Sequence, residues 1–154
     1  MATTAINPNH TFTTNGNATV PELNKFNVEH KADGIYIRPQ GASVVNGWVR
    51  IPISCPTVLA KAVPRIVGCS VAVATSDAKI DTFYLSVGSA TPLKKDGLNY
   101  ETQFGRLEIL SFNGNDLPQN VRPGNGPCIS LELKFKASGG LVRISWAAVD
   151  LLDN

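Results

Sequence analysis

PCISLELKFKA, residues 127–137, carries the plainest structural signal in the chain. Ile129, Leu131, Leu133 and Phe135 alternate with Ser130, Glu132, Lys134 and Lys136. Successive side chains leave a strand on opposite sides, so a period of two with one apolar face predicts a half-buried antiparallel strand. Downstream, Ser138-Gly139-Gly140 turns the chain into LVRISWAAVDLL (141–152), where Val142, Ile144, Trp146 and Ala148 form a second apolar face. The end of that run, 146–152, also suits a short helical turn. Upstream, RIVGCSVAVATS (65–76) is apolar on both alternations, with Val67, Cys69, Val71 and Val73 against Ile66, Ser70, Ala72 and Ala74. That pattern predicts a central strand covered on both faces. KIDTFYLSVG (79–88) follows a short Ser76-Asp77-Ala78 turn, and the spacing predicts a hairpin between the two. NGWVRIPIS (46–54) opens with the turn dipeptide Asn46-Gly47 and contains Pro52, which places it at a sheet edge or a bulge because proline has no N–H for the ladder. FNVEH (26–30) and GIYIRP (34–39) flank a turn at 31–34, and RLEILSF (106–112) alternates less cleanly. About eight strands with turn signals every 8–12 residues or so predict an all-β fold, a single antiparallel β-sandwich or jelly roll.

A chain of 154 residues suits one domain, large enough to hold a core without disulfides or metal. Charged residues make up 17% and the formal net charge is +2. The cations are scattered, with Lys94-Lys95 the one adjacent pair, so nucleic acid, which needs aligned cations, is not an expected partner. Cys55, Cys69 and Cys128 are odd in number and widely spaced, with no C-x-x-C pair. They form neither a disulfide framework nor a zinc motif. Buried small hydrophobes and one disulfide plus a free thiol both fit them. No metal or cofactor is implied, and no stretch is long and apolar enough for a membrane-spanning helix. The N-terminus has no charged and apolar leader pattern, so a cytoplasmic chain, or one exported without a cleaved signal, is the expectation. The sequons at Asn9 and Asn17 then read as products of a Thr/Asn-rich stretch.

Composition divides the chain. Residues 1–25 are rich in Thr and Asn and poor in large apolar groups, whereas residues 26–154 carry the strand pattern. A segment of the first kind cannot offset its ordering entropy by burial on its own. It is expected as an extended N-terminal arm, held by something else, beside a sandwich domain of residues 26–154.

Catalytic chemistry has little to stand on. His10 and His30 are the two histidines, and no G-x-S-x-G elbow occurs. Glu101, Glu108, Asp81, Asp96 and Asp116 are a pool from which an acid pair for glycoside hydrolysis would come, or they are solvated strand and turn residues. Two loops are more distinctive. The stretch 94–105 carries Asn99, Tyr100 and Phe104 beside Glu101, an aromatic ring with polar neighbours of the kind that stacks on a sugar. Equally, Tyr100 and Phe104 fit as covers over one end of the core. The stretch 113–127, rich in Asn, Gly and Pro, holds Asp116 and Arg122 and reads as a long surface loop, functional or simply a double turn.

The motif Gly47-Trp48-x-x-Ile51-Pro52-Ile53-x-x-Pro56 resembles one in a family of small, uncharacterised β-sandwich proteins of bacteria and fungi. The likeness continues through 65–88, Asp96-Gly97-Leu98 and the late strands, covering about residues 26–152 and leaving the arm outside. The family has no established activity, so the resemblance implies a sandwich and transfers no site residue.

These observations lead to a non-catalytic surface protein. The first expectation is self-association into a homo-oligomer, the arm adding as a strand to a neighbour's sheet edge through Thr11, Phe12, Thr13 and Val20. The alternative is a lectin-like, carbohydrate-binding module using loops 94–105 and 113–127, with Asn99, Tyr100, Asp116 and Arg122 meeting a glycan. An acid-pair hydrolase stands third.

Overall fold

The computed structural model describes residues 10–41, 46–55, 63–124 and 126–152. The sequon at Asn9 and the motif's Pro56 lie outside the described residues, as does the start of the expected arm.

The architecture is two antiparallel sheets packed face to face. The strands are β1 (His10–Asn15), β2 (Val20–Pro21), β3 (Phe26–Lys31), β4 (Gly34–Pro39), β5 (Asn46–Pro52), β6 (Arg65–Ser76), β7 (Ala78–Val87), β8 (Ala90–Lys95), β9 (Glu108–Asn113), β10 (Pro127–Phe135) and β11 (Leu141–Leu152). One sheet runs β3-β4-β11-β6-β9, with β1 also paired to β11; the other runs β2-β5-β10-β7-β8. The alternating residues of β10 do as their pattern requires: Ile129, Leu131 and Leu133 are fully buried, and Phe135 nearly so. They meet Ile35, Ile37, Val71, Val73, Ile144 and Val149 in one core. Phe83 stacks on Phe112 at 4.8 Å and Phe26 on Phe135 at 5.9 Å, each pair joining the two sheets.

Several expectations change in detail. β6 is central, between β11 and β9, but it forms no hairpin with β7, which pairs instead with β10 and β8 in the other sheet. The Ser76–Ala78 connection is an arch between layers, with Asp77 left-handed at φ 47 and its carbonyl accepting Lys136 N–H at 2.8 Å. A short turn serves an arch or a hairpin equally, so spacing cannot separate them. The two faces of β6 also interchange near its start. Ile66 joins Cys69, Val71 and Val73 in the core because the β11 register slips between Asp150 and Leu151. β11 stays extended through Leu152, with no helical turn at its end.

The arm is the largest revision. Over His10–Asn15 it is a strand of its own chain's sheet, registered from His10↔Leu151 to Asn15↔Trp146. Phe12 packs against the core, and the Thr11 hydroxyl donates to Asp150 Oδ1 at 2.8 Å. Thr13 lies opposite Ala148, and Val20 on β2 lies opposite Arg50 on β5. Residues 10–21 therefore belong to the sandwich, with Val20–Pro21 lying beside Val49 and Arg50 on β5, the Pro52 strand expected at an edge, and His10–Asn15 lying beside β11. The β11 ladder explains how: β4 covers residues 142–144, β1 covers 146–151, and Ser145 at the irregularity marks the handover. Gly16 and Gly34 both press on that point. A Cβ at Gly16 would lie 1.8 Å from Ile144 O, and one at Gly34, where φ is +133, would lie 2.2 Å from it. No helix among the described residues is long and apolar enough to cross a membrane.

Candidate functional site

The outer face of the second sheet carries the most developed surface. Alternation along β5 turns Val49 and Ile51 into the core and leaves Trp48, Arg50 and Pro52 outside. On β10, Ser130 and Glu132 point the same way; on β7, Tyr84 and Ser86 do so opposite buried Phe83 and Leu85. Register then assembles them. Arg50, Ser130, Tyr84 and Lys94 lie across four neighbouring strands in one row, with Trp48 and Glu132 in the next. Trp48 and Tyr84 are diagonal neighbours whose rings meet over β10 at 5.4 Å between centroids and 42° between planes. That spacing is within the range of a favourable aromatic pair, so each ring braces the other.

Three depressions run along this face. One of about 480 Å³ is lined by Trp48, Arg50, Tyr84, Ser86, Cys128 and Ser130. A second, about 390 Å³, shares Trp48 and Arg50 and reaches Val20 and Leu23. A third, about 320 Å³, shares Cys128 and reaches Cys55. Shared linings make them a trough, the middle part of which falls within the size range of ligand sites.

The platform is held from behind. The Trp48 N–H donates to Glu22 Oε2 at 3.0 Å, while Glu22 N–H donates to the Trp48 carbonyl at 2.9 Å. The Tyr84 hydroxyl donates to Asp96 Oδ1 at 2.9 Å, a bond that raises the phenol's pKa and keeps it a neutral donor. The Lys94 ammonium sits 5.4 Å from the Tyr84 ring centre, and Thr82 donates to Glu132 at 3.2 Å. Among the described residues, no hydrogen bond or ion pair occupies the Trp48 indole N–H, the Arg50 guanidinium, or the Ser86 and Ser130 hydroxyls. Charges of both signs, Arg50 and Lys94 against Glu22, Asp96 and Glu132, surround the rings.

The residues expected from the loops are elsewhere and apart. Tyr100 exchanges backbone bonds with Ile80 at 2.9 Å in both directions and packs against the core, which, with the Glu108 charge behind it, raises its pKa. It lies partly buried against the core. Asn99, left-handed at φ 48, accepts from Lys79 Nζ at 2.6 Å. Asp116 closes a capping box with Asn113 and pairs with Lys95 at 3.2 Å. Arg122 donates to the Val63 carbonyl at 2.7 Å. Tyr100 is bonded near the start of β7, whereas Val121, next to Arg122, accepts from Ile66 near the start of β6, so Tyr100 and Arg122 sit at opposite ends of these strands, and the two stretches meet only where Lys95 pairs with Asp116. Phe104 is 92% exposed, with Arg106 at 5.9 Å from its ring.

The acids of the pool each have a partner. Asp81 pairs with Lys134 at 2.8 Å, Glu101 with Lys136, and Glu108 accepts from Gln103 N–H at 2.6 Å. Asp96 and Asp116 hold the partners given above, so each acid of the pool has its own. Among the described residues no three His, Cys, Asp or Glu side chains cluster as a metal site would need. His30 is paired with Asn17 at 3.0 Å.

No protein-family model matches the chain, and no curated protein sequence matches it. Solved structures of similar outline include the CBM36-1 domain of a multidomain xylanase from the hindgut metagenome of Trinervitermes trinervoides, with TM-score 0.46 and 10% identity over 91% of this chain and 96% of that one. The C-terminal CBM6 of a laminarinase from Zobellia galactanivorans gives TM-score 0.43 and 14% identity over 92% and 99%. A cyclase from Fischerella sp. TAU gives 0.47 and 11% over 98% and 90%. These proteins differ in what they do, and nothing about this chain's ligand is taken from them.

Proposed function

We propose that the protein is a carbohydrate-binding module whose site is the trough on the outer face of the second sheet, with Trp48 and Tyr84 as the stacking platform. The braced pair of half-exposed rings among unoccupied donors carries this reading. A pyranose has an apolar face formed by its ring C–H groups and an equatorial fringe of hydroxyls. The first lies on an aromatic ring, and the second meets fixed polar groups. Here Arg50, Ser86 and Ser130 surround the rings, and Asp96 holds Tyr84 in place. The three depressions share lining residues along the face, which suits a ligand of more than one sugar unit. Its mixed charge favours a neutral glycan.

The test is a screen against soluble neutral oligosaccharides followed by calorimetry on the best ligand. Trp48→Ala is expected to weaken binding at least about tenfold, the loss typical of a central aromatic anchor. Tyr100→Ala and Arg122→Ala are expected to leave affinity unchanged. No ligand in the screen, or full affinity in Trp48→Ala, would remove the proposal.

A further inference from the structure

The edges of the two sheets are unequally protected. β3 ends its sheet with Glu29, His30 and Lys31; β8 carries Pro92, Lys94 and Lys95; β2 is two residues long and ends in Pro21; β1 presents threonines. Charge, proline and brevity are the usual means of keeping an edge from pairing with another chain. β9, EILSFN, has no lysine and no proline, carries one charge, Glu108, at its start where Gln103 N–H holds it, pairs with β6 on one side, and exposes Ile109 at 59%. Leu107, just before it, is also exposed.

The direction of its free groups follows from one bond. Asn113 N–H donates to Asp116 Oδ2 at 3.3 Å, so it points away from β6. Antiparallel ladders alternate, so Ser111 and Ile109 point their N–H and C=O outward in the same way. Among the described residues nothing takes up these groups.

We infer that β9 pairs antiparallel with β9 of a second copy, making one continuous sheet across a twofold axis. The register is fixed by what remains free. With Leu110 on the axis, Ile109 faces Ser111 of the other copy, and both N–H···O bonds form at each of these two symmetric pairs. Glu108 then faces Phe112, with no acid opposite an acid. A register centred on Ser111 would require the Asn113 N–H that Asp116 already holds, and one centred on Ile109 would run Leu107, outside the strand, against Ser111. A second copy supplies the matching set of donors and acceptors by symmetry. This pairing lies on the other sheet from the trough and is independent of the glycan reading.

Light scattering on the full chain over a dilution series tests it. The wild type is expected at twice the chain mass, and Ile109→Lys and Ser111→Pro at the chain mass. Proline at 111 removes an outward N–H and leaves the β6 ladder intact. Amide exchange of Ile109 and Ser111 is the second readout, with both protected in the wild type and exposed in folded Ile109→Lys. A wild type at the chain mass throughout, or Ile109→Lys still at twice that mass, would overturn the pairing.

Discussion

Trp48 shows how much one position settles. Its backbone is locked to Glu22, its ring rests on Tyr84, and its indole N–H is open. Tyr84→Phe keeps the ring and loses the bond to Asp96. It is expected to cost less affinity than Trp48→Ala, a ranking that calorimetry on both variants checks. The thiols separate by burial in the same way. Cys69 is buried, and desolvation, helped by the Asp150 and Asp116 charges, pushes its pKa to about 12 from 9.0. Cys55 and Cys128 are half-exposed. A thiol reagent is expected to label Cys55 and Cys128 in the folded protein and Cys69 only after unfolding, read by mass spectrometry. Since folding raises the Cys69 pKa, the folded state holds a proton that the unfolded chain releases, and stability falls as pH rises from 9.0 toward about 12. At the acid end the sign reverses. The Tyr36 hydroxyl, with Arg143 and Lys31 nearby, lowers Asp33, and the Lys134 ammonium lowers Asp81. Their contributions are complete above 3.8 and disappear as pH falls through the lower folded values. Denaturant melts across pH are expected to show both limbs, with Cys69→Ala flattening the alkaline one.

At the scale of the element, the decisive feature is the β11 ladder, shared by β4 and β1 at Ser145 with Gly16 and Gly34 pressed against Ile144. Gly16→Ala places a methyl where a carbonyl oxygen already is. It is expected to cost about 1–3 kcal/mol or more as an overpacked site, seen as a lowered melting temperature. Strands with their own apolar period were legible from sequence: β4, β6 and β11 occupy the residues their patterns mark, but the irregularity after Ile144 switches the faces of β11, so Ala147, Val149 and Leu151 join the core in place of the expected Trp146 and Ala148. β1 was legible as an extended segment, but its partner was hidden, because threonines alternating with Phe12 bury little of their own and its place depends on a strand at the other end of the chain. β8 was hidden because Pro92 and two lysines read as a loop. The trough was half legible. The opposition of Trp48 and Arg50 to Val49 and Ile51, and of Tyr84 and Ser86 to Phe83 and Leu85, is written locally. That those outward residues meet across β10 is a matter of long-range register, which no local pattern contains.

Taken whole, the molecule has a small net charge and a trough with charges of both signs. Binding of a neutral glycan there is therefore expected to change little with salt, because few ions are displaced. Calorimetry at low and high ionic strength checks this. The two faces serve different purposes in this account, a ligand trough on one sheet and a pairing edge on the other, so edge variants are expected to retain glycan affinity. An amide-resolved NMR titration of the full chain with the best neutral oligosaccharide from the screen locates the glycan on the protein. Shifts confined to β5, β10 and β7 around Trp48, Arg50, Tyr84 and Ser130 are the expected result. Shifts centred on residues 97–105 and 113–127, with that face unmoved, would contradict it.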